Sequence, residues 1–204
     1  MRARFRFRPQ RQACLLVAGR VNFTLSQPLL EWKTLNNMKL TWMEKYLVDA
    51  EETILDDRVE EGLNLLNNLL YEEPGYGRLH NYLGWAYFYY TDDMARAELH
   101  LKMAIKFDEG YLPPYIHLSN LYLKHARYSD AILCSQQGLA KSKAKDISLF
   151  TNLAQGYELT KAWNLAIKAY KDALTTSVAD YEVNNLLAGI KRCRKKRMAL
   201  FFGL

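Results

Sequence analysis

At 204 residues, half of them hydrophobic, the chain is long enough to bury a sizeable core, which excludes a wholly disordered protein. Its net charge of +6 is uneven: residues 1–37 hold seven Lys/Arg against one acid, residues 191–197 hold six basic residues, and the 15 bases and 21 acids between residues 38 and 190 make an acidic body. Cys14, Cys134 and Cys193 lie far apart without a C-x-x-C pair, which argues against a disulfide framework or a zinc site and fits a reducing compartment.

Residues 1–37 lack the periodicity of the remaining chain. Arg2, Arg4, Arg6, Arg8 and Arg11 precede a brief apolar run, residues 13–18, that Arg20 interrupts. The run is too short for a secretory signal, and no stretch reaches the roughly 20 apolar residues that span a membrane. Arginine-rich and almost acid-free, the segment superficially resembles an organelle transit peptide. Met38 stands just before the first helical pattern, so residues 1–37 read as a disordered extension or an over-extended start.

From residue 43 the same residue types return at a nearly constant interval. Leu83, Leu118 and Leu153 are 35 residues apart, as are Tyr87, Tyr122 and Tyr157. Gly62, Ala97, Ala131 and Ala166 recur after 35, 34 and 35 residues, followed four later by Leu66, Leu101, Ser135 and Tyr170. Large apolar residues spaced by three and four mark one face of a helix, and small residues fall where two helices cross closely, so each unit predicts two helices. Breakers separate them at Pro74-Gly75, Asp92-Asp93, Pro113-Pro114 and Ser129-Asp130, with Asp92, Ser129 and Asp146 as candidate N-caps. The units run approximately over residues 43–76 (degenerate), 77–111, 112–146 and 147–177. Val183, Leu186, Leu187 and Ile190 then give one apolar stripe of a helix, which predicts a cap over the open end of the stack within residues 178–204.

This pattern resembles the tetratricopeptide repeat. Leu83-Gly84-x2-Tyr87 with Ala97-x3-Leu101, Leu118-Ser119-x2-Tyr122 with Ala131-x3-Ser135, and Leu153-Ala154-x2-Tyr157 with Ala166-x3-Tyr170 match its outline; Tyr46, Ala50, Gly62, Leu66 and Pro74 form a worn copy. Departures are the large aromatic near the start of the first helix, which here is His80, Tyr115 or Phe150, and the terminal proline, present once. The resemblance implies an all-α, right-handed solenoid of helical hairpins whose first helices line a concave groove. It assigns Asn81, Trp85, Phe88 and Tyr89 to that groove from one unit, Ile116, Asn120, Leu123 and Lys124 from the next, and Thr151, Gln155, Glu158 and Leu159 from the third. Leu47, Glu51 and Ile54 extend it towards the N-terminus.

Residues 79–90 carry Tyr82, Trp85, Tyr87, Phe88, Tyr89 and Tyr90, more aromatic surface than one core-facing stripe uses. Periodicity places Tyr82, Tyr87 and Tyr90 against neighbouring helices and Trp85, Phe88 and Tyr89 on a face the interior does not need, as anchors for a partner. The lysine and arginine clamp with which chaperone cofactors of this family hold a terminal carboxylate is missing: the corresponding positions read Asn81, Trp85, Asn120, Ser148 and Asn152.

No catalytic centre, cofactor loop or metal-ligand spacing emerges; His80, His100, His117 and His125 each sit singly in helical patterns, as ordinary surface or groove residues. The expected function is therefore a cytoplasmic, non-catalytic scaffold, adaptor or chaperone-like, holding a partner peptide or helix. The alternative is a peripheral tether to an anionic membrane or nucleic acid through Lys191, Arg192, Arg194, Lys195, Lys196 and Arg197, which precede the apolar run 198–204. The plain reading of those cations is a helix end complementing its dipole.

Overall fold

The computed structural model describes residues 42–91, 93–142 and 146–201; the expectations for residues 1–37 and for Asp92 lie outside them. The chain divides into two compact units, Met1–Lys45 and Tyr46–Leu204. Of the first, the described residues are only those that open helix α1.

The described residues form α1 (Trp42–Leu55), α2 (Val59–Glu72), α3 (Gly77–Tyr90), α4 (Met94–Phe107), α5 (Pro113–Lys124), α6 (Tyr128–Lys141), α7 (Ile147–Leu159), α8 (Trp163–Leu174) and α9 (Asp180–Phe201). Successive helices pair into hairpins, α3 with α4, α5 with α6 and α7 with α8, and consecutive first helices also touch, α3 with α5 and α5 with α7. Small residues decide where the helices cross. A methyl group on Gly84 would lie 2.5 Å from Leu101 Cγ and 3.1 Å from Leu101 N, so only glycine lets α3 and α4 approach this closely. Ala97, Ala131 and Ala166 are fully buried at the equivalent crossings from the second helices.

Helix boundaries follow local chemistry. Asp93 Oδ1 accepts from Arg96 N at 2.9 Å and Asp146 Oδ1 from Leu149 N at 2.9 Å, each occupying an N-terminal donor of α4 and α7. Two prolines, whose missing N–H groups cost nothing in a first turn, open α5. Ser129 is not the cap expected for α6: the helix begins one residue earlier, at Tyr128, with Arg127 at the cap position.

The turns that follow α1, α5 and α7 share a device that no glycine announces. Asp57, Ala126 and Lys161 adopt left-handed φ values of 68°, 57° and 64°. After each, the next amide donates back five residues, Arg58 N to Thr53 O, Arg127 N to Tyr122 O and Ala162 N to Tyr157 O, closing the helix end.

Helix α9 packs on α8, where Leu186, Ile190 and Cys193 join Ala166, Ala169, Tyr170 and Ala173 in one cluster. Burying each large side chain there contributes about 1.5–3 kcal/mol. Of the expected stripe Leu186 and Ile190 are buried, Val183 is half-buried and Leu187 half exposed, while Gly189, against which the Tyr170 ring lies, joins the buried face.

Candidate functional site

Four rows of side chains, each stepping by 35 residues, cross the first helices α3, α5 and α7: Asn81, Ile116, Thr151; Trp85, Asn120, Gln155; Phe88, Leu123, Glu158; and Tyr89, Lys124, Leu159. Only in the last row is every member exposed, Tyr89 by 39% and Leu159 by 47%. Ile116, Asn120, Leu123 and Thr151 are half-buried, and Gln155 is exposed.

The members contributed by α3 are otherwise buried, Asn81 and Phe88 to 5% exposure and Trp85 to 7%. This corrects the expectation that Trp85 and Phe88 stand open as anchors while Tyr82 and Tyr90 pack inside. Rings along the second half of α3 pack on one another. Trp85 meets Tyr82 edge-on at 6.4 Å and Tyr90 at 5.0 Å, and Phe88 lies 4.4 Å from the Tyr89 ring with Lys124 Nζ 5.3 Å from its own. Tyr82 and Tyr90, in contrast, are only half-buried. Tyr89 reaches over to α5, where its hydroxyl accepts from Asn120 Nδ2 at 3.3 Å and its ring meets His117 edge-on at 5.7 Å.

Glu158 is 5% exposed and belongs to the packing of α9. Arg192 grips it with two nitrogens, Nε to Oε1 at 2.5 Å and Nη2 to Oε2 at 2.7 Å. Lys196 Nζ donates to Oε1 at 2.8 Å and the Tyr170 hydroxyl to Oε2 at 3.0 Å. Burial alone would raise the Glu158 pKa, but these donors together hold it down at about 2. Glu98, between α4 and α5, repeats the theme: Lys102, Arg127 and Tyr122 outweigh burial and lower its pKa to about 2.

Two further elements escape the sequence. Asn152 Nδ2 donates to Ser119 Oγ at 2.8 Å and so ties α7 to α5 instead of facing a ligand, as Tyr82 ties α3 to α1 by donating to Glu51 at 3.2 Å. The histidines, expected to stand singly, are partly a set. His80 Nδ1 lies 3.0 Å from His100 Nδ1, and His80 Nε2 lies 2.9 Å from the Pro74 carbonyl. A carbonyl only accepts, so in the neutral pair His80 carries its proton on Nε2, His100 donates from Nδ1, and His100 Nε2 keeps a lone pair. Phe107, His80, His100 and Tyr87 stack in a column. Burial, then His80 and Arg96, lower the His100 pKa to about 4, and burial lowers that of His117 to about 4. Among the described residues no three His, Cys, Asp or Glu side chains converge to hold a metal, and no helix is long and apolar enough to cross a membrane.

Hairpins repeating at 35 residues, first helices in contact with one another, and small residues at each crossing define the tetratricopeptide-repeat fold, and the chain has it. Solved structures agree. A thermophilic tetratricopeptide-repeat protein of Thermus thermophilus superposes with a TM-score of 0.60 at 19% identity, over 78% of this chain and 86% of that one. A structure of MamA gives 0.59 at 19% identity over 71% and 83%, and MamA residues 41 to the end from Desulfovibrio magneticus RS-1 gives 0.58 at 14% over 76% and 95%. No protein-family model matches the chain, and no curated protein matches it in sequence.

Proposed function

We propose that the protein is a non-catalytic, cytoplasmic scaffold, an adaptor or chaperone-like subunit, that holds a peptide or helix of a partner protein across α3, α5 and α7. The observation that carries this is the exposed row of Tyr89, Lys124 and Leu159, one side chain per repeat at a constant step. It offers a ring, a cation and an aliphatic group in sequence, a mixed surface suited to a polypeptide that has both backbone and side chains to satisfy. Asn120, Thr151 and Gln155 supply hydrogen-bonding groups beside it. The buried, free thiols of Cys134 and Cys193 accord with a reducing setting. Solenoids of this kind use such faces for recognition.

Burial of Trp85 and Phe88 decides which variant tests this. Truncating either opens a cavity costing about 3–5 kcal/mol, so lost capture would report unfolding. The combination Lys124→Glu and Leu159→Ser alters exposed side chains of the row and leaves in place Tyr89, whose ring and hydroxyl pack on Phe88, His117 and Asn120. Affinity capture from the native cell with quantitative mass spectrometry should lose one or a few proteins with this variant at an unchanged melting temperature. The same set of proteins captured in the same amounts would overturn the proposal.

A further inference from the structure

Helix α9 spans 22 residues, about 33 Å, nearly twice the length of the helices it caps. Its buried residues end at Cys193, and none from Arg194 to Phe201 is buried, so the last two turns extend beyond the packed cluster. From residue 183 onward the sequence contains no acid and six cations, two of which pair with Glu158. Glu158 divides the six. Arg192 and Lys196 turn to it, and Arg197 Nη1 donates to Asn164 Oδ1 at 2.6 Å. Lys191, Arg194 and Lys195 are exposed and, with Leu187 and Met198, follow i, i+4, i+7, i+8, i+11 spacing along a different face of the helix.

Apolar groups are interleaved with these cations. On that face Leu187 is 49% exposed and Met198 56%. Phosphate groups of a nucleic acid would be met by the cations alone, whereas this combination matches a surface that is anionic outside and apolar a few ångströms beneath. The acidic body, residues 38–190, opposes approach to such a surface by its own faces, which leaves α9 as the attracted part of the described residues.

We propose that the outer face of α9, through Lys191, Arg194 and Lys195 with Leu187 and Met198, docks on the headgroups of an anionic lipid bilayer. The proposal is independent of partner binding on α3, α5 and α7.

The test uses the full chain in co-sedimentation with phosphatidylcholine vesicles, with and without about 30% phosphatidylserine, beside a fluorescent polyuridine oligonucleotide. Binding is expected to the serine-containing vesicles only and to fall steeply as salt rises towards about 0.5 M. The variant K191Q/R194Q/K195Q should bind roughly 100-fold more weakly, about fivefold for each cation removed. Met198→Ser should weaken vesicle binding about fivefold while leaving any oligonucleotide binding unchanged. All these side chains are exposed, so an unchanged circular dichroism melt is expected for both variants. Absence of vesicle binding at low salt, retention of it by the triple variant, or equal binding by the Met198→Ser variant would each overturn the proposal; the last, with tight oligonucleotide binding, would mark a nucleic-acid surface instead.

Discussion

From α3 to α5 the buried titratable groups include imidazoles set among aromatic rings, whereas between α7 and α9 a buried carboxylate meets a phenol and two half-exposed cations. Both regions build on the same hairpin and the same small-residue crossings, so the contrast isolates the polar chemistry. His117 is enclosed and its Nδ1 has no hydrogen-bond partner, which favours the neutral ring. Glu158 is equally enclosed, but four hydrogen bonds favour its charged form. One kind of burial excludes charge; the other requires it.

Acid should therefore loosen the two regions in different windows, which is the largest effect expected. His117 and His100 titrate near 4 when folded and near 6.5 when unfolded, so the unfolded chain binds more protons between those values. Stability is full above about pH 6.5 and falls as pH drops towards 4, by about 3 kcal/mol from the fully enclosed His117. Glu98 and Glu158 are shifted in the same direction but from a lower starting value, so their contribution, full above about pH 4.5, is lost only as pH falls through about 2. Hydrogen exchange followed by mass spectrometry at pH 7.5 and 4.5, corrected for intrinsic rates, should show α3 to α5 losing protection before α9. Loss beginning at α9 would break the comparison.

Replacing Glu158 by alanine should cost about 2 kcal/mol in urea denaturation. The low end of the range for a buried pair applies because Arg192 and Lys196 are 50% and 45% exposed and regain water. Protection in α9 should fall more than elsewhere. Glu98→Ala, whose partners Lys102 and Arg127 are also on the surface and whose own side chain is 20% exposed, should cost about 1 kcal/mol. Equal losses would mean that burial of the carboxylate makes no difference.

Much of this scaffold is legible in the sequence because a repeat is written several times over. Leu83, Leu118 and Leu153, or Ala97, Ala131 and Ala166, recur in register, and the crossings they define appear in the structure at those positions. The site is less legible for a physical reason: a helical wheel gives the face of a side chain but not what another element lays over it. Trp85 and Phe88 share a face with Tyr89, yet they are buried while Tyr89 is not. Glu158 reads as a groove residue until α9 brings Arg192 and Lys196 to it from more than thirty positions away. The His80–His100 pair joins two helices through a contact 20 residues apart that no ligand-type spacing announces.

The smallest predicted effect is a control on the contrast. Ala126 closes the hairpin of α5 and α6, and Lys161 that of α7 and α8, both left-handed at 57° and 64° and both exposed. An L-residue in this conformation is strained by contact between Cβ and its own backbone, and glycine removes the strain while losing more freedom on folding. The balance for Ala126→Gly and Lys161→Gly is a stabilisation of about 0.5–1 kcal/mol each, read as a rise in the urea midpoint. Asp57→Gly, starting from a side chain that tolerates this region better, should gain less. Equal gains at 126 and 161 would show that the two hairpin turns are energetically alike, leaving the imidazole and carboxylate chemistry to account for any difference in how the two regions unfold. Unequal gains would shift part of that difference to the turns.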